Sequence, residues 1–271
     1  GGCNEAAAVD TAVDEEKMTV RARYAADGAH MKEISVSGTR YGDRMKDRQM
    51  AVDLGCRAAQ KLQSGKVYLI GAGPGDTGLI TMKGIEALKE ADVVVYDHLA
   101  SSSLLNETKD AAEWIDAGKF AGHHRMKQAE IEELLIEKAM EGQTVARLKG
   151  GDPFIFGRGG EEALALTAAG IDYEVIPGVS SAYSAPAYAG IPITHRGKAS
   201  SFHVITGHED PAKGESSLDY DILAREEGTL VFLMGLSRLR QISDQLIEKG
   251  KDARTPAAVI ASGTTARQRC V

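Results

Sequence analysis

Cysteine is scarce in this chain: Cys3, Cys56 and Cys270 stand far apart, with no C-x-x-C pair among them. That spacing excludes a disulfide framework and offers no zinc site, and it suits a reducing compartment, so a cytoplasmic location is expected. Long apolar runs are lacking too. Nothing approaches the ~18 uninterrupted apolar residues of a membrane span, and Gly1-Gly2-Cys3-Asn4-Glu5 has neither the basic nor the apolar region of a signal peptide, so no membrane partner is expected. An excess of positive charge is missing as well. The formal net charge is −7, which argues against a nucleic-acid partner. Local basic residues do occur: Arg125, Lys127, Arg147, Lys149, Arg158, Arg196 and Lys198 flank glycine- and proline-rich loops, where a polyanionic substrate would be met.

What is present is ordinary globular material, 43% apolar and 26% charged over 271 residues. That length has room for about two domains. From Lys66 onward, β-branched runs alternate with helical patterns, the mark of α/β architecture with largely parallel sheets. Strands are expected at Val67–Ile70, Val93–Tyr96, Thr144–Leu148, Tyr173–Ile176, Phe202–Thr206, Leu230–Met234 and Ala257–Ile260. The clearest helix runs from Lys127 to Met140, and Gly142, Gly170 and Gly250 are placed to end helices. Small residues and prolines between Pro177 and Arg196 read as a connection between two α/β lobes, 66–177 and 178–271. Residues 1–63 differ. Alternation at Ala7–Val13, Met18–Tyr24 and Ile34–Val36, a turn at Asp27-Gly28, and helical spacing of Met45, Met50, Leu54 and Ala58 predict a small α+β domain, a three-stranded antiparallel sheet covered by one helix.

The most informative stretch is Val67-Tyr-Leu-Ile-Gly-Ala-Gly-Pro-Gly-Asp76, an apolar strand breaking into a glycine loop. A dinucleotide fingerprint fails here. Its third glycine would fall on Asp76, a negative charge where a pyrophosphate needs a helix N-terminus, and Pro74 removes a backbone donor. Similar loops follow later strands: Tyr96-Asp97-His98, Gly150-Gly151-Asp152-Pro153 and Gly178-Val179-Ser180-Ser181. Loops after successive strands of a parallel sheet converge along one edge and line a common site.

Together with Gly118-Lys119 and His123, Arg147–Gly160, Gly190–Arg196 and Leu233-Met234-Gly235, these motifs resemble those of uroporphyrinogen-III C-methyltransferases, in the tetrapyrrole methylase superfamily, over roughly residues 66–271. The resemblance implies a two-lobed fold with S-adenosylmethionine bound between the lobes. It implies two successive methyl transfers to ring carbons of uroporphyrinogen III, giving precorrin-2 for sirohaem and cobalamin, and a homodimer. Carried over by motif, the cofactor-binding positions are Pro74, Gly150, Gly151, Asp152, Ile155, Ser180, Ser181, Met234 and Gly263; Asp97 is the proton acceptor and Lys119 the proton donor. Two alternatives stay open: a sibling precorrin methyltransferase, and a fragment that binds cofactor or tetrapyrrole without turnover.

The first 63 residues resemble the C-terminal domain of porphobilinogen deaminase through Gly1-Gly2-Cys3, with Asn4-Glu5-Ala6 where that family has a proline. This resemblance implies a dipyrromethane cofactor on Cys3 in a complete deaminase. The expectation is therefore a fragment, open at both ends, of a fused tetrapyrrole-biosynthesis protein.

Overall fold

The computed structural model describes residues 6–25, 32–97, 102–118, 126–208 and 218–271. Strands β1 (Ala6–Val13), β2 (Lys17–Ala25) and β3 (Lys32–Thr39) pair antiparallel in chain order. Alternation decides which face is covered. Met18, Val20, Ala22 and Val36 point inward onto Leu54 and Ala58 of α1 (Arg44–Gln63), while Arg21 and Arg23 point outward to Asp10 and Glu33. The expected sheet and helix are thus present, and the Asp27-Gly28 turn lies outside the described residues.

Beyond Ser64 comes a five-stranded sheet, all parallel, in the order β6-β5-β7-β4-β8. Its members are β4 (Lys66–Gly71), β5 (Val93–Tyr96), β6 (Glu113–Asp116), β7 (Val145–Lys149) and β8 (Asp172–Ile176). β4 and β5 read as near-continuous apolar runs because both faces are covered, and β7, equally covered, interrupts its run with Arg147 and Lys149. Val67, Leu69, Val93, Val95 and Val145 pack on α3 (Gln128–Met140) and α4 (Gly159–Ala169). Ile70, Val94, Ala146 and Leu148 pack on α2 (Met82–Glu90) and on Leu104 and Leu105 of a short 3-10 segment. Gly170 ends α4 in the left-handed conformation (φ 73°), where a Cβ would be strained.

The second lobe contains α5 (Ser181–Tyr188), β9 (Phe202–Thr206), α6 (Tyr220–Arg225), β10 (Thr229–Leu233), α7 (Leu239–Glu248), β11 (Ile260–Ala261) and β12 (Arg269–Cys270). β9 and β10 are parallel; β11 and β12 form an antiparallel pair. Four details differ from the sequence expectation, the first being that the strand expected at Ala257–Ile260 is confined to Ile260–Ala261. The stretch read as a plain connection carries α5, and two further strands appear, β6 and β12. Both of these lie at sheet margins with exposed positions, so neither shows the apolar run that marks a covered strand. Among the described residues no helix is long and apolar enough to cross a membrane.

Candidate active site

Because the five strands share one direction, the loops after β4, β7 and β8 leave the same edge. They touch there. Gly73 and Gly151 exchange backbone hydrogen bonds, 3.2 Å from the Gly73 N–H and 2.7 Å from the Gly151 N–H. A Cβ on Gly71 would come 2.5 Å from the Gly178 Cα, and one on Gly178 would come 2.2 Å from the Gly151 carbonyl oxygen. Gly71 and Gly178 permit this approach by leaving no Cβ in the way, and Gly151 by its left-handed backbone (φ 68°). Asp152 locks it: its Oδ2 accepts from the Gly178 N–H at 3.0 Å and its Oδ1 from the Phe154 N–H at 2.8 Å. Ser180 caps α5, its Oγ accepting from the Ala182 N–H at 3.2 Å, and Ser181 opens the helix.

Asp97 follows β5, and its N–H donates to the Leu148 carbonyl at 3.3 Å. Its Oδ2 lies 3.8 Å from the Arg147 Nη2. Arg147 and Lys149 are each only 3% exposed, and Glu162 of α4 is 0% exposed. One oxygen of Glu162 accepts from the Lys149 Nζ at 2.8 Å, the Arg147 Nε at 3.1 Å and the Gln128 Nε2 at 3.4 Å; the other is buried without a hydrogen-bond partner among the described residues. Burial, followed by the neighbouring Arg147 charge, pushes the Lys149 ammonium below its ordinary lysine range, and Glu162 opposes that shift. Arg147 and Lys149 are therefore not the surface cations their sequence context suggested. Two cations at alternate positions of one strand share a face, and a buried face must supply a carboxylate. Glu162, set among the apolar residues of α4, is that carboxylate; the sequence reading did not single it out.

Several expected site positions lie on exposed, irregular backbone. Ile155 sits between Phe154 and Phe156, all three exposed, with positive φ at Phe156 (53°) and Arg158 (58°). Arg158 pairs with Glu161 at 2.6 Å. Met234 follows β10 at φ 59° and is 55% exposed. Gly263 lies between Ser262 (φ 51°) and Thr264 (φ 63°), and a Cβ on it would come 2.4 Å from the Cβ of Ala185 in α5. Left-handed backbone at non-glycine residues, a β-branched Thr among them, concentrates at ligand clamps and active sites. Pro74 is half-buried in the first glycine loop, two residues before Asp76, whose Oδ1 caps a short 3-10 helix by accepting from the Gly78 N–H at 2.8 Å. The structure thus gathers Pro74, Gly150, Gly151, Asp152, Ser180 and Ser181 about the crossing loops. Met234 and Gly263 belong to the other lobe, and Lys119, His98, His123, Arg125 and Cys3 lie outside the described residues.

Loops converging on one edge of a parallel sheet, with a second α/β unit beside them, define an open α/β fold of the class whose small-molecule sites lie at that edge. Residues 66–271 match the family of Tetrapyrrole (Corrin/Porphyrin) Methylases, and the chain belongs to that family. It is 53% identical over 205 residues to an S-adenosyl-L-methionine-dependent uroporphyrinogen III methyltransferase of Methanosarcina barkeri, covering 76% of this chain and 80% of that protein. It is 54% identical over 210 residues to the uroporphyrinogen-III C-methyltransferase of Bacillus subtilis, covering 78% of this chain but 44% of that longer protein. The uroporphyrin-III C-methyl transferase of Thermus thermophilus, solved in complex with S-adenyl homocysteine, superposes with a TM-score of 0.65 at 40% identity, over 76% of this chain and 82% of that one.

These matches correct one reading. The family match begins at residue 66, and what precedes it in the described residues is only the three-stranded sheet and its helix. The identification of residues 1–63 as a deaminase domain fused to a methyltransferase is overturned, and dipyrromethane on Cys3 goes with it. The physical reason is the weakness of the signal. A glycine pair before a cysteine is a three-residue pattern, and one helix covering a three-stranded sheet is a general way to bury a single apolar face.

Proposed function

We propose that this chain transfers methyl groups from S-adenosylmethionine to ring carbons of uroporphyrinogen III, in two successive steps that give precorrin-2 for sirohaem and cobalamin. The observation that carries the reading is the glycine crossing at 71, 151 and 178, within a chain 53% identical to a methyltransferase of that specificity. Glycine at 71 and 178 lets the loop backbones pack directly on one another, which supports the reading of these loops as the walls of one ligand site.

The residues present fit S-adenosylmethionine. Exposed Ile155 and Met234 offer apolar contact to an adenine and a thioether chain, and Asp152 offers acceptors to ribose or amine. Pro74, Gly150, Gly151, Ser180, Ser181 and Gly263 complete the set that would hold it. When bound, that cofactor supplies an electrophilic methyl group on a sulfonium centre. Holding the acceptor carbon in line with that methyl is the chain's main task, since displacement at a methyl needs little covalent assistance. The ring carbon must also lose its proton, and we assign the acceptor to Asp97, backed by the Arg147 guanidinium. Lys119 is the proposed proton donor. The substrate's carboxylates call for cations, and among the described residues Lys127, Arg158, Arg196 and Lys198 are exposed cations in or flanking the loop segments. We further propose a homodimer acting in the cytoplasm, built of units 1–63, 66–177 and 178–271.

Asp97→Ala tests the mechanism. Precorrin-2 formation, followed by absorbance, should be abolished while calorimetric affinity for S-adenosylmethionine is retained. Equal loss of both would remove Asp97 from the proton-acceptor role, and binding of NADH in place of S-adenosylmethionine would overturn the methyltransferase reading itself.

A further inference from the structure

The first glycine loop is tied to two segments far along the chain. The Tyr188 hydroxyl, at the end of α5, donates to the Asp76 Oδ2 at 2.8 Å across 112 residues. The Asp76 N–H donates to the Thr264 Oγ1 at 3.2 Å across 188 residues. Beside it, Gly75 (φ 147°) has no room for a side chain, because a Cβ would lie 2.6 Å from the Thr265 Cγ2. The receiving turn is held in an unfavourable shape. Ser262 and Thr264 both have positive φ, and the Thr264 N–H is secured by the Gln268 Oε1 at 2.6 Å. Strained backbone of this kind persists only where its surroundings over-determine it.

None of this serves the hydrophobic core. Tyr188 is 49% exposed, and neither it nor Asp76 belongs to a core cluster. The bond between them is nonetheless well formed: it holds the Asp76 carboxyl below the usual carboxylate range and the Tyr188 hydroxyl above the usual phenol range.

We propose that Asp76, Tyr188 and Thr264 form a clasp between the two lobes that fixes Pro74 against Gly263, making them positioning residues for the methyl-donor slot. This rests on the assignment of Pro74 and Gly263 to the cofactor. Each hydrogen bond in the clasp is worth a modest net free energy, so losing one should weaken cofactor binding about three- to ten-fold.

The test is a double-mutant cycle on S-adenosylmethionine affinity, read by calorimetry, with KM and kcat measured alongside. Tyr188→Phe should raise Kd and KM together, by more than kcat falls. Asp76→Ala should raise them further, and Asp76→Asn, which keeps an acceptor oxygen, should recover most of the loss. Adding Tyr188→Phe to Asp76→Ala should cost nothing more, because their shared bond is already gone. Unchanged Kd in Tyr188→Phe, or additive losses in the double variant, would overturn the clasp. Failure of the wild-type chain to bind S-adenosylmethionine would instead sink the cofactor assignment beneath it.

Discussion

Replacing Glu162 by alanine should be among the most damaging single changes in the chain. Its carboxylate is 0% exposed and faces Lys149 at 2.8 Å and Arg147 at 3.1 Å, so the variant strips both buried cations of their shared carboxylate and leaves Arg147 with Asp97 at 3.8 Å. Breaking a buried pair from one side costs about 3–5 kcal/mol, well above the worth of an exposed ion pair. Glu162→Gln separates charge from shape. It keeps an acceptor oxygen and nearly the same volume, and Lys149, already pushed toward its neutral form by burial, can shed its proton, so we expect a smaller loss of about 1–3 kcal/mol. That loss should also depend on pH. With the folded-state pKa of Lys149 depressed, the unfolded chain binds more protons between that value and the ordinary 10.5, so stability rises with pH across this window. Without the Glu162 charge the depression deepens and the rise steepens. Urea unfolding followed by circular dichroism, for both variants and wild type at several pH values, reads these quantities. Stability of Glu162→Ala within about 1 kcal/mol of wild type, against the 3–5 expected for a broken buried pair, would refute the reasoning.

Glu174 gives an acid-side prediction: Lys66 and Lys83 hold its carboxyl at about 2, below its usual 4.5. The stabilisation is complete above pH 4.5 and lost as the pH falls toward 2, so Glu174→Gln should trail wild type by about 1 kcal/mol at pH 6 after solvent screening, and match it at pH 2; a constant gap in urea midpoints would contradict this. Gly178→Ala places a Cβ 2.2 Å from the Gly151 carbonyl oxygen. It should cost about 1–3 kcal/mol or more in thermal and urea unfolding and weaken cofactor binding. Gly160→Ala, in α4 with nothing within 4 Å of an added Cβ, should be neutral or stabilising by up to about 1 kcal/mol. Leu54→Ala empties the core of the N-terminal sheet, a cluster separate from those of the five-stranded sheet. It should lower stability of that unit by about 2–5 kcal/mol and leave methyl transfer intact; a parallel loss of turnover would show that the units depend on each other.

The covered strands were legible because burial on both faces writes itself into sequence as runs such as Val93-Val94-Val95, and the N-terminal sheet because one-sided burial writes itself as alternation. β6 was not legible. Its Glu113-Trp114-Ile115-Asp116 borders only one strand and carries two acidic residues, so nothing in composition separates it from a loop. The glycine loops announced themselves, since glycines clustered after strands have few other uses. Their partners did not: Tyr188 and Thr264 reach Asp76 from 112 and 188 residues away, and no local pattern encodes a bond of that span. The Arg147 and Lys149 reading failed for a related reason. Charge in sequence suggests solvent, and only the fully covered flanks Val145, Ala146 and Leu148 betray that the strand beneath them has none.

The strand order of the five-stranded sheet also sets a timetable for the chain during synthesis. β1, β2 and β3 are neighbours in sequence and in space, so that sheet can close as soon as it emerges. β4 cannot. Val67 waits for Val145 on one side and Tyr173 on the other, and until those residues leave the ribosome the strand has two unpaired edges and its glycine loop has nothing to meet. At about 5–20 residues per second that interval lasts several seconds, long enough for an exposed apolar strand to find a second nascent chain. Slowed elongation between β4 and β8 should therefore be felt as aggregation rather than as poor catalysis.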